Sequence, residues 1–572
     1  FLDMTLRRWF CGIVAGCLLL GASVWGWHHF QPPPVPLESP PWFVDITTAS
    51  GIDFTHDAGP TGTYFKPQII GSGAALFDFD GDDRLDILLL NNGGPKGQPN
   101  RLFKQQRDGT FQDLSTGSGL NIAGHNMGVA IGDVNNDGFP DVLVTQYGGI
   151  KLFLNNRNGT FTDVTHEAGL EYSRWGTSAA FVDYDRDGWL DLVVVNYVAY
   201  DPSVPCRLFD GALDFCHPRS FPSVPANLYH NLGRTDGGKP PRVRFQDVTR
   251  SSGFESASGP ALGVLCADFD GDGWPDIFVA NDGKPNHLWI NQKNGVFKEE
   301  ALARGIAFNA MGQAEANMGV AMGDVDGDGF FDLLVTHLTT ETNTLWKQGP
   351  RGLFSDRTVA TGIARPIQRG TGFGTVLADF NQDGFPDLAV VNGRVSRSPT
   401  VPLGSDFWAV YAQRNQLFAN DGTGNFRDRS LLDPAFCGTP AVWRGLAYGD
   451  LNDDGALDLL ATSAGGRARL FRNVAPDRGH WLLVQAIDPA HGGRPAYGAE
   501  VRVEAGQRKW LGWINPGSSY LCSNDPRAHF GLGSVEHIDA IQVRWPDGSE
   551  ERFRETRIDT MVKLVKGKGM IP

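Results

Sequence analysis

Seven times this chain repeats an acidic stretch of the form D-x-[DN]-x-D-G-x-x-D, followed each time by a short run of Val, Leu, Ile or Ala. The copies begin at Asp78, Asp133, Asp183, Asp268, Asp324, Asp379 and Asp450. Oxygen-bearing side chains fall at positions one, three, five and nine, and a glycine at position six permits a sharp turn. In the first copy Asp83 stands where the others have that glycine. Hard cations such as calcium take roughly six to eight oxygen ligands, and this spacing wraps oxygens round one point. Without a cation, each copy crowds its carboxylates within a few ångströms of one another, a repulsion that persists only where something neutralises it.

The candidate ligands are therefore Asp78, Asp80, Asp82 and Asp86; Asp133, Asn135, Asp137 and Asp141; Asp183, Asp185, Asp187 and Asp191; Asp268, Asp270, Asp272 and Asp276; Asp324, Asp326, Asp328 and Asp332; Asp379, Asn381, Asp383 and Asp387; and Asp450, Asn452, Asp454 and Asp458. An EF-hand shares the opening D-x-D-x-D-G but closes on a bidentate Glu at position twelve, between helices. Position twelve here is Leu89, Val144, Val194, Val279, Val335, Val390 or Ala461, none of which binds a cation. The flanks alternate or run apolar over short lengths and are rich in Val, Ile and Phe, so they read as strands. Each acidic loop then joins the two strands of a hairpin. Asp and Gly as mere turn formers would account for one copy but not for seven.

With 572 residues the chain is too long for one ordinary core. Its net charge of −15 lies largely in these loops, and seven divalent cations would offset nearly all of it. No basic stripe or basic-aromatic motif appears, which argues against nucleic acid as a partner. Gly 72 and Pro 35 fit a chain of short strands and tight turns.

Around the loops the chain has a period near fifty residues. A small-residue strand, such as Asn126–Asp133 or Asn317–Asp324, leads into the acidic loop and its apolar strand. A third strand reads N-x-L-[FYW] or nearly so, at Leu102, Leu152, Leu228, Leu288, Leu345 and Leu417. A fourth reads F-x-D: Phe111/Asp113, Phe161/Asp163, Phe245/Asp247, Phe354/Asp356 and Phe426/Asp428, with Phe297/Glu299 a looser copy. Four strands per unit and seven units predict an all-β fold with a seven-bladed β-propeller over residues 42–475. The seventh unit lacks its own F-x-D strand after Leu470 and Phe471. Phe43 and Asp45, ahead of the first unit, supply the missing piece and would close the ring, removing a free sheet edge.

The N-terminal part reads differently. Arg7 and Arg8 precede the uncharged stretch Trp9–Trp27, long enough to span a bilayer with the arginines on the cytoplasmic side. An uncleaved signal anchor over residues 1–30 is expected, since no clear A-x-A cleavage site is present. Gln31–Pro41 reads as a stiff Pro-rich linker. The bulk of the protein is then extracytoplasmic, periplasmic or extracellular.

The loops and the F-x-D frame resemble the FG-GAP (VCBS) repeats of integrin α-subunit heads and their bacterial relatives. That resemblance implies calcium, up to seven Ca2+, between the first two strands of each blade, with the metals stiffening blades and doing no chemistry. It carries the ligand role onto the positions named above.

Acidic loops and the third-to-fourth-strand turns share one face of such a ring, and the second-to-third-strand loops lie on the other. The two largest insertions, Tyr197–Ala226 and Asn392–Arg414, are of the second kind. They carry Arg207, Phe209, Arg219, Arg394, Arg397, Trp408 and Tyr411, the arginine and aromatic types that anchor interfaces. These insertions either bind a protein or glycan partner or cover the channel and pack on themselves. Cys206 and Cys216, ten apart in one such loop outside the cytoplasm, are expected to form a disulfide. Cys266 reads as a small buried residue, and Cys437 and Cys522 as either paired or free.

Beyond Pro476 the repeats stop, and alternating strands over residues 476–572 predict a small β-sandwich. This part resembles the ASPIC/UnbV domain through Gly498-Ala499-x-Val501-x-Val503, Gly517-x-x-Tyr520-Leu521, His529-Phe530-Gly531-Leu532-Gly533 and Val543-x-Trp545-Pro546-x-Gly548. A repeat propeller followed by this domain is similar to the cartilage-acidic-protein-like family, which implies architecture more than activity.

No catalytic motif for serine hydrolysis, metalloproteolysis, phosphate transfer or thiol redox chemistry is present. His529 reads as a structural residue at a Gly-rich turn. The expected function is a calcium-stabilised, membrane-tethered extracytoplasmic binding, adhesion or scaffold protein that uses the loop-decorated face. Alternatives are a polysaccharide-active lyase or hydrolase and an accessory subunit of a membrane complex.

Overall fold

A computed structural model describes residues 40–235, 242–398, 406–555 and 557–571. The predicted membrane segment, with Cys11 and Cys17, lies outside them, as does nearly all of the linker. No helix among the described residues is long and apolar enough to cross a membrane.

Each acidic repeat folds as the sequence predicts, into a four-stranded antiparallel sheet in simple meander order. Sheet 1 comprises Ala74–Phe77, Asp86–Leu89, Arg101–Gln105 and Phe111–Asp113. Sheets 2 to 6 follow, their first strands being Asn126–Gly132, Gly176–Val182, Ala261–Ala267, Val320–Gly323 and Gly372–Ala378. Sheet 7 is Trp443–Gly449, Asp458–Ser463 and Arg469–Asn473, and its fourth strand is Phe43–Asp45, paired antiparallel with Arg469–Asn473. Position nine of each loop opens the second strand of a hairpin, as where Asp86 pairs with Phe77. All-β architecture with sheets like propeller blades thus follows from the period-two patterning and from glycine-bearing loops.

The first strands pack side by side in cyclic order, each against the next, and the first strand of sheet 1 also packs on that of sheet 7. Glycine makes this approach feasible. A Cβ on Gly128 would stand 2.4 Å from the Thr177 carbonyl oxygen, and one on Gly319 would stand 2.0 Å from that of Phe373. Between neighbouring sheets lie apolar clusters such as Leu76, Leu89, Phe103, Ala447 and Leu460. Burying each such Leu or Phe contributes about 1.5–3 kcal/mol.

A second link between neighbouring sheets was not anticipated from the repeat pattern. In six of the seven sheets, among the described residues, the polar residue ending the third strand reaches the preceding sheet's acidic loop. Asn155 Nδ2 donates to Phe79 O, Asn231 to Val134 O, Asn291 to Tyr184 O, Asn420 to Val325 O and Asn473 to Phe380 O, all at 2.8–2.9 Å. Gln105 Nε2 makes the same link from sheet 1 to sheet 7 by donating to Leu451 O at 2.5 Å.

The C-terminal region is two further sheets packed face to face. His480–Asp488 lies between Arg494–Pro495 and Ala528–Gly533 and pairs in parallel with Thr560–Val565. Glu500–Ala505 lies between Arg508–Trp513 and Ala540–Arg544, with Glu550–Phe553 outside. Val484, Val501, Phe530, Ile541 and Trp545 fill the space between the sheets, and their apolar cluster runs on into sheets 2 and 3 through Ala130, Leu190 and Tyr229. The sandwich sits on the acidic-loop side. Gly492 packs against Asn136 and Gly138, and Trp481 against Gly455.

From this sandwich the segment Asn515–Asp525 enters the middle of the ring. Leu521 O accepts from Val129 N (3.1 Å), Ser523 N donates to Ala74 O (3.0 Å) and Leu76 N donates to Ser523 O (3.0 Å). Ser519 exchanges both backbone bonds with Val320 (2.6 and 3.0 Å), and Asp525 N donates to Tyr448 O (3.2 Å). One short segment thereby pairs with the first strands of sheets 1, 2, 5 and 7, satisfying backbone groups that would otherwise face an open channel. Tyr520 and Leu521, known from the sequence only as part of a family motif, are the apolar filling of that plug, packed with Ile70, Met127, Met318 and Phe373.

Candidate metal centre

Each acidic loop is built round its first aspartate, which accepts backbone N–H groups of its own loop. Asp133 accepts from Asp137 N (2.9 Å) and Gly138 N (2.7 Å), and Asp324 from Asp328 N (3.1 Å) and Gly329 N (2.9 Å). The position-five carboxylate caps position seven, as Asp137 does Phe139 N at 3.0 Å. The position-nine carboxylate braces both flanks: Asp141 accepts from Val134 N (3.0 Å) and Asn155 N (2.8 Å). Left-handed backbone occurs at position six and also at position four, where Asn136, Arg186, Gln382 and Asp453 have φ between 52° and 62°.

These loops bring their carboxylates together. One oxygen each from Asp78, Asp80 and Asp82 lies within 4.8 Å of the others, and the same holds for Asp183, Asp185 and Asp187. Asp268, Asp270 and Asp276, and Asp324, Asp326 and Asp332, also cluster so. Burial pushes the innermost carboxyls upward: Asp86, Asp191, Asp332 and Asp458 to about 8, and Asp133, Asp324 and Asp450 to about 6. Four buried acceptor oxygens, Asp80 Oδ1, Asn135 Oδ1, Asp183 Oδ1 and Asp458 Oδ2, have no hydrogen-bond partner. Such orphaned acceptors among hard oxygen ligands suit a calcium-type cation. In loops 2 and 7 the residues present therefore fit the metal, and in loops 1 and 3 an ion would compete with Lys104 and His230 for the same carboxylates; no step of chemistry is attached to it.

The protein also supplies cations of its own to these loops. The penultimate residue of the third strand reaches into the loop where it is basic. Lys104 Nζ bridges Asp80 and Asp82, the latter at 2.9 Å, and Lys347 Nζ bridges Asp326 (2.5 Å) and Asp328 (2.8 Å). His230 Nδ1 lies 3.1 Å from Asp191 and 3.3 Å from Asp185, and its bond to Asp191 raises it to about 9. The equivalent residues of sheets 2, 4 and 6 are Leu154, Ile290 and Ala419. The sandwich adds arginines from outside. Arg494, buried, donates to Asn136 Oδ1 (2.8 Å) and Gly188 O (3.1 Å). Arg544 pairs with Asp268 at 2.5 Å, and Arg527 donates to Asp450 O at 3.1 Å. Composition concealed these pairs, since a net charge does not say which lysine faces which aspartate. Aligning the third strands on L-[FYW]-x-[NQ] would have exposed Lys104, His230 and Lys347 at one register position.

His529 Nε2 lies 2.7 Å from Gly455 O, and burial lowers the imidazole to about 4, so it is a neutral contact between sandwich and loop. Cys206 and Cys216 form the expected disulfide, and Cys266, Cys437 and Cys522 are buried free thiols.

On the opposite face the two insertions hold each other. Asp214 of the first accepts from Arg397 N (2.9 Å) and Tyr411 Oη (2.7 Å) of the second, and Trp408 stacks on Phe215 with ring centroids 6.4 Å apart. Tyr411 is wholly buried, so it braces the insertions and does not meet solvent. Arg207, Phe209 and Arg219 are exposed, and Arg394 is half-buried.

Comparison with known proteins places these features. Residues 78–144, 133–194 and 268–335 match the family described as FG-GAP-like repeat, and residues 490–570 match that described as ASPIC and UnbV. Cartilage acidic protein 1 of Homo sapiens is 25% identical over 313 residues, 54% of this chain and 44% of that protein. The Xenopus tropicalis protein is 26% identical over 317 residues, again 54% of this chain and 44% of its own. The chain thus matches less than half the length of these relatives, and the matches indicate no catalytic family. Among solved structures, an Agrocybe aegerita lectin described as recognising non-reducing terminal N-acetylglucosamine has a TM-score of 0.38 at 16% identity, over 68% of this chain and 88% of its own. BBS1N in complex with ARL6DN has a TM-score of 0.39 at 12% identity, over 77% and 99%. Likenesses that distant add no argument. The chain carries FG-GAP-like repeats followed by an ASPIC and UnbV domain and is homologous to cartilage acidic protein 1 over 54% of its length.

Proposed function

We propose that this chain is a calcium-stabilised extracytoplasmic binding or adhesion scaffold, a closed seven-bladed propeller that recognises a protein or glycan on its insertion face. The observation that carries this reading is the inequality of the two faces. The acidic-loop face is covered by the sandwich, through Arg494, Arg527, His529 and Arg544. The insertion face keeps Arg207 and a fully exposed Phe209 on a disulfide-closed loop. An exposed aromatic beside arginine, held on a stapled loop, is the composition of an interface anchor. Homology to cartilage acidic protein 1 supports an extracellular setting. Calcium in the loops serves rigidity, and the uncharged N-terminal stretch Trp9–Trp27 serves as a tether in this reading.

The test is a binding profile of the intact chain on arrays of extracellular proteins and glycans, against the double variant Arg207→Ser, Phe209→Ser. Loss of the principal signals with an unchanged melting temperature is the expected result. An unchanged profile would remove the insertion face from the function.

A further inference from the structure

At the mouth of the ring on the insertion face lies a cavity of ≈ 440 Å³, lined by parts of sheets 1 and 3 to 6 and by both insertions. Two of its walls, Ile70 and Phe373, pack on Tyr520 of the central plug. Lys66 lines it and is 4% exposed. Among the described residues its ammonium has no hydrogen-bond acceptor and no carboxylate within ion-pair distance.

That is an unusual state for a buried lysine, since a charge removed from water without a partner is costly. The acidic groups nearby are engaged elsewhere. Asp282 Oδ2 accepts from Tyr197 Oη at 2.6 Å, and Asp214 holds Tyr411 and Arg397. A second cation, Arg444, is fully buried close by. It spends its donors on the carbonyls of Ile69, Trp443, Gly393 and Arg394 and has no carboxylate partner among the described residues. Arg207, Arg394 and His217 line the same cavity, Asp214 and Asp282 line it too with their oxygens bonded as above, and hydroxyls of Thr339, Thr340, Thr371, Ser220 and Ser396 make up most of the remaining polar wall. Burial draws Lys66 down to about 8, which leaves it mostly charged at neutral pH.

We propose that this cavity binds the carboxylate of a sugar acid, with the Lys66 ammonium and the Arg394 guanidinium on the carboxylate and the threonine and serine hydroxyls on the sugar hydroxyls. The volume lies in the range of small-ligand sites, about 300–1,000 Å³, and cations with hydroxyl donors and an aromatic wall are what a polyhydroxylated anion requires. The inference rests on reading the insertion face as the binding face.

Titration of the whole chain with glucuronate, followed by NMR, tests it, with glucose and a blocked Glu-Glu dipeptide as comparisons. The expected result is saturable glucuronate binding, none by glucose or the dipeptide, and a loss of about tenfold or more in Lys66→Met and in Arg394→Gln, since each removes a charge-assisted bond. Lys66→Met should melt no lower than the parent, because it deletes an unpartnered buried charge. Absence of glucuronate binding, equal binding of glucose or the dipeptide, or glucuronate binding that survives Lys66→Met would overturn the proposal. Should the array signals still depend on Arg207 and Phe209, the insertion face stands as the binding face and only the sugar-acid pocket falls.

Discussion

A Cβ on Gly73 would stand 1.7 Å from the carbonyl oxygen of Leu521. These residues belong to different parts of the chain, the first strand region of sheet 1 and the plug that descends from the sandwich. Their contact means that the C-terminal domain is built into the ring. Gly73 N itself donates to Met127 O at 2.8 Å, so backbone on both sides of it is committed.

Gly73→Ala must therefore displace either the plug or the first strand. Overpacking of this kind costs about 1–3 kcal/mol or more, and a denaturant melt should show the loss. Gly149→Ala, whose nearest new contacts would be 3.4 and 3.8 Å away, is the matched control and should be nearly neutral. Equal midpoints for the two variants would contradict the plug.

Asp83 occupies the left-handed region at φ 63°, at the position where the other six loops have glycine. Its backbone N–H bonds Asp78 Oδ2 at 2.8 Å, a contact glycine keeps. Asp83→Gly should stabilise by about 1 kcal/mol, the steric cost of a non-glycine residue in that region, read as a higher melting temperature.

Lys347 and a divalent ion compete for the same space between Asp326 and Asp328. The intact chain should bind fewer than seven calcium ions, and Lys347→Met should gain about one. Without calcium the variant should melt below the parent, and with calcium the gap should close. Elemental analysis after dialysis and paired melts with calcium or chelator measure both. Identical metal content would refute the competition.

His337 is fully buried, with Nδ1 3.2 Å from Ala316 O, and burial lowers it to about 4 from 6.5. A folded value below the unfolded one means the unfolded chain takes up the proton first. Stability is then fully present above pH 6.5 and falls as pH drops towards 4, with about 2 kcal/mol lost at pH 5. His337→Gln should flatten that part of the profile in pH-dependent denaturant melts. Glu315 and Glu341, which face the ring, remain in both chains, so the difference between chains isolates the histidine. Parallel profiles would exclude it.

The acidic loops, the four-strand unit and the Cys206–Cys216 pair were legible in the sequence, because each depends on residue type at short spacing; the closing Phe43–Asp45 strand, far from its partner in the chain, was legible because the seventh repeat lacks that piece. Carboxylates four residues apart meet wherever the turn forms, and period-two patterning allows only strands. What neutralises the loops was not legible: Lys104 is twenty-four residues from Asp80, and Arg494 lies hundreds from Asn136. Nor was it visible that Tyr520 would fill the ring, or that Lys66 would be left without a partner. Those outcomes depend on which surfaces the closed ring brings face to face. Local chemistry determined the sheets and their loops; the packing of distant segments decided which charges were paired, which face was covered and which cavity stayed open.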